Sequence, residues 1–333
     1  MRVALQLAPD NRHVLRSASR LFLHLNEPQH AHDLLVRSAA TKRDPWLISA
    51  EIAIAELAAR GPRFYKQGVA MIHDGGIFPH QTSELAGSVG TAELIGGNRQ
   101  KAKKMFRHSM IDPNGNALAQ AEWATPNFGA ELVPPARIQF ARDAFEAKAL
   151  HRYREGKLDE VLQFCERWAG DEPYSIRPYE FGASTASITD EFEKALSFAR
   201  RGLRIRPGAP RLVNSAAFAL ASLNYVNEAK EILRTLSRER DDKEAFIAEA
   251  NWGLVAFRKG DVEQGRQHYL AAILGFEGLN LPGLVASARV YLAREALLAK
   301  TPDASELLIV ARAPAGRGID GRTRPQAGTY GLG

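Results

Sequence analysis

Residues 149–161 read ALHRYREGKLDEV, residues 183–195 read ASTASITDEFEKA, and residues 217–229 read AFALASLNYVNEA. The three segments start 34 residues apart. Each begins with alanine, carries Gly, Asp or Asn at its eighth place, and ends with a small or branched apolar residue. Helix-forming residues fill most places, whereas the eighth place holds a residue that favours turns. Each segment therefore predicts the end of one helix, a tight turn and the start of a second helix, repeated at a fixed period.

The same frame can be followed over roughly residues 1–275. In the first helix of each pair it places the residues Ser19, Gly90, Ala149, Ala183, Ala217 and Gly253. In the second helix it places the residues Ala31, Ala102, Val161, Ala195, Ala229 and Gly265. Small side chains at a fixed place let two helix backbones approach closely, while larger neighbours fill the space alongside. The frame therefore predicts a stack of similar helix pairs.

Helix pairs of this length and pattern resemble the tetratricopeptide repeat (TPR) family. The resemblance implies an all-α fold, a right-handed α-solenoid of about seven TPR-like antiparallel helix pairs. Alternating strand-like segments are nearly absent, in agreement with that fold class. The sequence departs from the family pattern at Lys148, which stands in an apolar place, and at Trp168, which stands in a small one.

Two intervals are longer than one repeat. The first, between Ser19 and Gly90, leaves room for a degenerate pair with helices over residues 45–60 and 62–74. The second, between Gly90 and Ala149, exceeds one repeat by 25 residues and contains a proline-rich stretch that a helix does not continue through. We therefore expect an N-terminal TPR-like array over residues 1–125, an irregular joint with a bend or subdomain boundary over 126–136, a C-terminal array over 137–311, and a disordered tail over 312–333.

The first residues fall in the middle of a repeat. Met1, Ala4 and Pro9 occupy the places of a second helix whose first helix is missing. An uncapped end of a helical stack exposes the face that a neighbour would cover. This predicts further sequence upstream, or self-association through the open N-terminal repeat.

Composition excludes several classes of protein. Forty-four Lys and Arg against 38 Asp and Glu give a formal charge of +6, which is modest over 333 residues and does not by itself imply nucleic acid. The single Cys165 cannot form an intramolecular disulfide, which favours a reducing compartment, and we expect a cytoplasmic location. The longest apolar stretch, residues 215–223, is far shorter than the roughly 18 residues of a membrane helix, so no membrane partner is expected.

No cofactor, metal site or catalytic set is predicted, so we expect that the chain is not an enzyme. His24, His30, His32 and Asp33 are close in sequence, but His30 and His32 are two residues apart on a helix and diverge. Cys165 falls in a core-facing place, as a small hydrophobe rather than a nucleophile. The glycines of residues 316–321 match a dinucleotide-binding spacing without the helix that this motif requires.

The TPR resemblance also implies where a ligand would bind. In that family the first helices line a concave surface, and ligand contacts lie at set offsets from the small residue. These offsets give the candidate residues His13, Arg16, Arg20, Tyr153, Arg177, Arg211, Asn214, Phe218, Leu254 and Phe257. The groove is expected to change from basic through polar to apolar, which fits an extended peptide or a partner protein. The apolar end should need a cover, and one hypothesis is the C-terminal tail with Tyr330 and Leu332.

The leading interpretation is therefore a non-enzymatic scaffold or adaptor that binds a peptide or partner protein. Two alternatives stay open. The first is an RNA binder that uses two basic second-helix clusters, composed of Arg99, Lys101, Lys103, Lys104, Arg107 and His108, and of Arg200, Arg201, Arg204, Arg206 and Arg211. Base stacking would need aromatic residues beside these charges, and neither cluster supplies an obvious array of them. The second is the sensor or adaptor half of an enzyme whose catalytic domain lies upstream.

Overall fold

The computed structural model describes residues 1–74, 76–236 and 241–312, and this part of the chain is all-helical without a strand. Its helices are α1 (Arg2–Leu7), α2 (Arg12–His24), α3 (Pro28–Arg37), α4 (Pro45–Leu57), α5 (Tyr65–Ile72), α6 (Pro79–Ile95), α7 (Arg99–Ser109), α8 (Gly115–Ala124), α9 (Pro135–Phe140), α10 (Phe145–Arg154), α11 (Leu158–Asp171), α12 (Arg177–Ile188), α13 (Phe192–Ile205), α14 (Pro210–Ser222), α15 (Val226–Arg234), α16 (Asp242–Arg258), α17 (Val262–Gly278), α18 (Pro282–Leu298) and α19 (Ala304–Arg312). Short 3₁₀ helices occupy Ala39–Arg43 and Thr125–Asn127.

From α2 onward the helices form hairpins, as expected for an α-solenoid. The even-numbered helices are the first helices, and the odd-numbered ones from α3 onward are the second helices. Each first helix except α8 packs against its own second helix, and within a unit each one packs against the next first helix, as α4 does against α6 and α14 against α16. This neighbour-by-neighbour packing is the all-α solenoid predicted from the repeat. The described residues contain eight regular pairs, one more than expected, because α18 and α19 also pack as a hairpin.

The small residues of the repeat lie where two helices meet. Those of the first helices are all buried, from Ser19 to Gly253, and so are those of the second helices, from Ala31 to Gly265. A methyl group added to Gly253 would lie 2.9 Å from the carbonyl oxygen of Gly265, so these two backbones are in direct contact. The packing role predicted for this place is confirmed.

The turn between the helices of each pair has a left-handed residue at the predicted place. The residue seven positions after the first-helix small residue has a φ angle between 57° and 87° in six pairs, at Asn26, Gly97, Gly156, Asp190, Asn224 and Gly260. Glycine adopts this conformation freely, and Asn and Asp tolerate it better than other residues. The predicted turn is therefore confirmed at every repeat in the frame.

The contacts divide the chain into two compact units, one from Met1 to Glu172 and the other beginning at Pro173. The irregular segment 126–136, where we expected a joint, lies inside the first unit. Its residues Leu132 and Val133, with Ile138 just after it, are buried in one cluster with Leu118 and Phe106. These side chains pack with residues of α8 and α10, and the division into two arrays with a joint stays a prediction. Apart from Arg312, the tail predicted over 312–333 lies outside the described residues.

Candidate interaction surface on the first helices

The predicted basic residues His13, Arg16 and Arg20 share one face of α2, because they are spaced by three and four residues. Asn11 begins this helix, and its side-chain oxygen accepts hydrogen bonds from the backbone amides of His13 and Val14 at 2.9 and 3.2 Å. His13 and Arg20 are exposed, whereas Arg16 is half-buried. Helix α2 thus presents the accessible basic side chains of His13 and Arg20 on either side of Arg16, which is packed against neighbouring helices.

Arg16 is fixed by two neighbouring first helices. Its guanidinium carbon lies 5.5 Å from the centre of the Trp46 ring at the start of α4, and its Nη2 donates to Glu84 Oε2 on α6 at 3.0 Å. Trp46 is placed there by Asp44, which caps α4 by accepting from the Trp46 amide at 2.9 Å. Stacking on an aromatic face and pairing with a carboxylate are both favourable for arginine. Arg16 therefore has a defined orientation.

Glu84 is the centre of this arrangement. Its carboxylate is almost fully buried and also accepts hydrogen bonds from the side-chain amides of Asn114 at 2.7 Å and Asn116 at 2.9 Å. A buried carboxylate with three donors is well compensated. The set that joins α2, α4, α6 and α8 is called the Arg16 cluster below, and it consists of Arg16, Trp46, His80, Glu84, Asn114 and Asn116.

Arg20 lies one turn further along α2. Among the described residues its guanidinium forms no hydrogen bond or ion pair. Partial loss of hydration by the surrounding chain, and then repulsion from Arg16, lower its pKa from the ordinary value. Glu172, Asp171 and Glu84 act in the opposite direction but do not reverse the shift. A cation in this position gains from an added carboxylate or other anion.

The predicted residues of the second unit form a network of their own. Arg211 Nε lies 3.4 Å from Glu244 Oε1, and its Nη1 lies 3.9 Å from Glu180 Oε2. Asn214 is buried and donates to the carboxylate of Glu244 at 3.0 Å, and Asn251 donates to the backbone carbonyl of Asn214 at 3.1 Å. These side chains bond to each other across α12, α14 and α16. Their charges are already compensated within the chain.

Leu254 and Phe257 do not line a groove, and the prediction of an apolar groove end is wrong. Leu254 has no exposed surface and Phe257 is 6% exposed. The Phe257 ring lies 6.1 Å from the Tyr269 ring and contacts the backbone of Gly265. The physical reason is the glycine contact of this hairpin, which brings α17 so close to α16 that both side chains fill the space between the two helices. The hypothesis of a cover by the tail concerns Tyr330 and Leu332, which lie outside the described residues.

The remaining predicted residues have mixed surroundings. Phe218 is half-buried, with its ring 5.0 Å from that of Tyr291 and 5.8 Å from the guanidinium of Arg294, both on α18. Tyr153 on α10 is 41% exposed, and Arg177 is half-buried at the start of α12. The structure thus brings His13, Arg16 and Arg20 together and connects Arg211 with Asn214, but places Phe218 under α18.

Sequence reasoning missed Trp46, Glu84 and the two asparagines of the Arg16 cluster. Trp46 lies in the degenerate helix pair, and the two asparagines lie at the start of α8, in the irregular pair. Neither pair has a small residue in the repeat frame from which the offset of a ligand contact can be measured. For Glu84 a signal was present. It stands six residues before Gly90, the same offset that links His13 to Ser19 and Arg211 to Ala217.

The other expectations concern metals, the cysteine and membranes. Within the described residues no three His, Cys, Asp or Glu side chains converge on a metal site, and His32 pairs with the buried Glu51 at 2.9 Å while His30 is exposed. Cys165 is buried, and burial raises the pKa of its thiol. Over the same residues no helix combines the length and apolar content that crossing a membrane requires.

Comparisons with known proteins add little. No protein-family model matches the sequence, and no curated protein matches it. Among solved structures the chain is similar to a chain in the crystal structure of the APC/C hetero-tetramer Cut9–Hcn1, at 9% identity over 93% of this chain and 92% of that chain, with a TM-score of 0.27. At this level the likeness carries no statement about function.

Proposed function

We propose that the chain is a TPR-like, non-enzymatic scaffold that binds a carboxylate-bearing peptide or partner segment on the first helices of its first unit. The observation that carries the proposal is the pair Arg16 and Arg20. One is held by Trp46 and Glu84, and the other, one turn away, is exposed and forms no hydrogen bond or ion pair among the described residues. We further propose that it acts in the cytoplasm, in keeping with its single buried cysteine.

The chemistry favours a carboxylate at Arg20. Arginine binds a carboxylate through two parallel hydrogen bonds, and such charge-assisted bonds are stronger than neutral ones. A bound carboxylate would raise the pKa that burial and Arg16 lower, because a nearby opposite charge favours the charged form of the guanidinium. The partly exposed ring of Trp46 supplies an adjacent apolar surface for a neighbouring side chain of the peptide.

The ion pairs of the second unit favour a peptide site in the first unit. Arg211 and Asn214 already bond to Glu244, so an incoming carboxylate would have to displace an internal one. Removing a partner from a buried charged group is costly. Peptide binding is therefore expected where an arginine has no such partner.

Binding can be tested with end-capped, fluorescein-labelled ten-residue peptides that differ in their number of glutamates, by fluorescence polarisation. The Arg20→Glu variant should bind the preferred acidic peptide at least about tenfold more weakly, since one charge-assisted contact of about 1.5 kcal/mol or more is replaced by repulsion. The matched control is Arg37→Glu on α3, an exposed arginine on a second helix with the same change of charge, and it should stay within about twofold.

The Arg16 cluster provides an independent readout. Binding next to Trp46 should change tryptophan fluorescence, and the Trp46→Phe variant should remove that change. The proposal fails if glutamate and glutamine peptides bind alike, or if Arg20→Glu and Arg37→Glu have the same effect.

A further inference from the structure

A cavity of about 620 Å³ opens on the second unit, between α13 and the turn that joins α14 to α15. Its α13 side is built from residues spaced along one helix face, between Glu193 and Arg204. Its other side consists of the end of α14, the turn residue Tyr225 and the first turn of α15. A cleft of this volume accommodates one or two large side chains.

The floor of the cavity is apolar. Leu196 and Leu220 are buried beneath it, and Leu223 is half-buried at its edge. The left-handed turn residue Asn224, with φ of 67°, sets the direction in which the chain leaves α14. The next residue, Tyr225, lines the opening and is 53% exposed. Aromatic rings of this kind are common anchors in protein interfaces.

Arginines surround the opening on the α13 side. Arg201 is fixed, because its guanidinium lies 5.1 Å from the Tyr179 ring and 5.7 Å from the Phe198 ring. Arg200 and Arg204 are exposed one helical turn apart and form no hydrogen bond or ion pair within the part of the chain that the structure describes. Two unpaired guanidinium groups beside an apolar floor are a recurring arrangement for binding acidic sequences.

The charge of the cavity changes along α13. Glu193 lies in the first turn of the helix and Arg204 in the last, so they are about 16 Å apart along the axis. Glu228 on α15 adds a second carboxylate to the lining. The lining therefore has an acidic portion as well as the arginine portion.

We propose that this cavity is a second recognition site, for a peptide segment that inserts a bulky apolar side chain between the leucines and Tyr225 and places its own carboxylates on Arg200 and Arg204. A peptide fits better than single-stranded RNA. Tyr225 is the one aromatic ring among the described lining residues, whereas stacking of successive bases needs several. The site lies on the second-helix side of its hairpins and does not rest on the Arg16 cluster.

The probe is an end-capped, fluorescein-labelled peptide with a leucine–phenylalanine pair followed by four glutamates, titrated with the full chain. One control peptide carries glutamines for the glutamates, and another carries serines for the apolar pair. The acidic apolar peptide should bind saturably with a Kd below about 1 mM. Each control peptide should bind at least about tenfold more weakly, because one lacks the carboxylates and the other lacks the apolar side chains. Binding should weaken as salt is raised.

The decisive variant is Arg200→Glu/Arg204→Glu, which should weaken binding at least about tenfold, whereas Arg200→Lys/Arg204→Lys should retain most of it. The matched control is Lys104→Glu/Arg107→Glu on α7, two exposed cations on another second helix, and it should stay within about twofold. All three are surface changes, and their helical content is checked by circular dichroism.

The Arg20→Glu background separates this site from the proposed function: with the first-unit site disabled, the probe should still bind saturably and should still lose binding on Arg200→Glu/Arg204→Glu. Equal binding of the glutamate and glutamine peptides, no saturable binding, or loss of binding in the α7 control to the same extent would overturn the proposal. A ten-nucleotide oligouridine that displaces the peptide at lower concentration than unlabelled peptide would also overturn it, in favour of RNA.

Discussion

Single glycines set the distance between helices in this chain. A methyl group on Gly253 would lie 2.8 Å from Tyr269 Cδ2 and 2.9 Å from the backbone oxygen of Gly265. The ring could shift, but the oxygen belongs to the facing helix and can move only with it. The contact therefore depends on the missing side chain, and a larger residue must push α16 and α17 apart.

Gly253→Ala should lower the free energy of unfolding by about 1–3 kcal/mol, because overpacking costs this much in a close-packed core. The control is Gly170→Ala on α11, where a methyl group meets nothing within 4 Å. That variant should be neutral or more stable by up to about 1 kcal/mol, since alanine favours helix more than glycine does. Urea titrations followed by circular dichroism measure both. Equal stability of the two variants would show that the glycine contact is absent.

Cys165 reports on the core of the first unit. The residue is fully buried, and burial raises the pKa of its thiol. Because the thiolate is the reactive form, we expect the folded chain not to react with Ellman's reagent at pH 8. After denaturation the reagent should detect one thiol per chain. Rapid labelling of the folded chain would contradict the burial of α11 against its neighbours.

Hairpins are also joined by ion pairs, and the pair between α17 and the start of α19 is the clearest. Arg266 Nη2 donates to Asp303 Oδ1 at 2.9 Å, and its Nη1 bonds the other carboxylate oxygen. This bidentate pair lowers the pKa of Asp303 from 3.8 to about 2, with the hydrogen bonds from Arg266 as the largest cause. Since the pKa is lower in the folded chain, the stabilisation is present above pH 4 and is lost as the pH falls towards 2.

Asp303→Asn should therefore lower the melting temperature at pH 7 and have no effect near pH 2. The change at pH 7 should be small, because both side chains are partly exposed to solvent. Asp242→Asn, an exposed carboxylate in the first turn of α16, serves as the control for the loss of one charge. Thermal unfolding measured from pH 2 to pH 7 tests whether the stabilisation by this ion pair is lost as the pH falls. A difference between wild type and Asp303→Asn that grows towards low pH would contradict it.

The features that could be predicted from the sequence are those that depend on the pattern of residues within one helix pair. Ala183 and Asp190 mark the close contact and the left-handed turn of their hairpin, and the same signals recur at every pair in the frame. Prediction from the sequence failed for Leu254 and Phe257 because their exposure depends on how closely α17 approaches, which no offset within one helix encodes. The cavity at Tyr225 was missed for a similar reason, since its two sides come from different hairpins.

At the scale of the whole molecule, helix α1 leaves apolar side chains in contact with solvent. No residue of this helix is buried, and Val3 and Leu7 are 66% and 81% exposed. Exposed apolar groups on one helix face are a common cause of association. Self-association through this helix stays a prediction.

Static light scattering at high protein concentration should therefore give a mass above the 36.6 kDa of one chain. The Val3→Glu/Leu7→Glu variant should return the mass to that of a monomer, because it replaces the apolar contact by charge. A monomeric wild-type chain over the same concentration range would rule out this association.

The central claim is that each hairpin is stabilised by its neighbours and not by distant parts of the chain. Hydrogen exchange with mass spectrometry on the Gly253→Ala variant tests it most directly, because one contact is disturbed and every helix is observed. We expect faster exchange over α14–α19 and unchanged protection over α2–α8. A uniform increase in exchange over both units would show that the chain unfolds as one cooperative body, and would contradict the account.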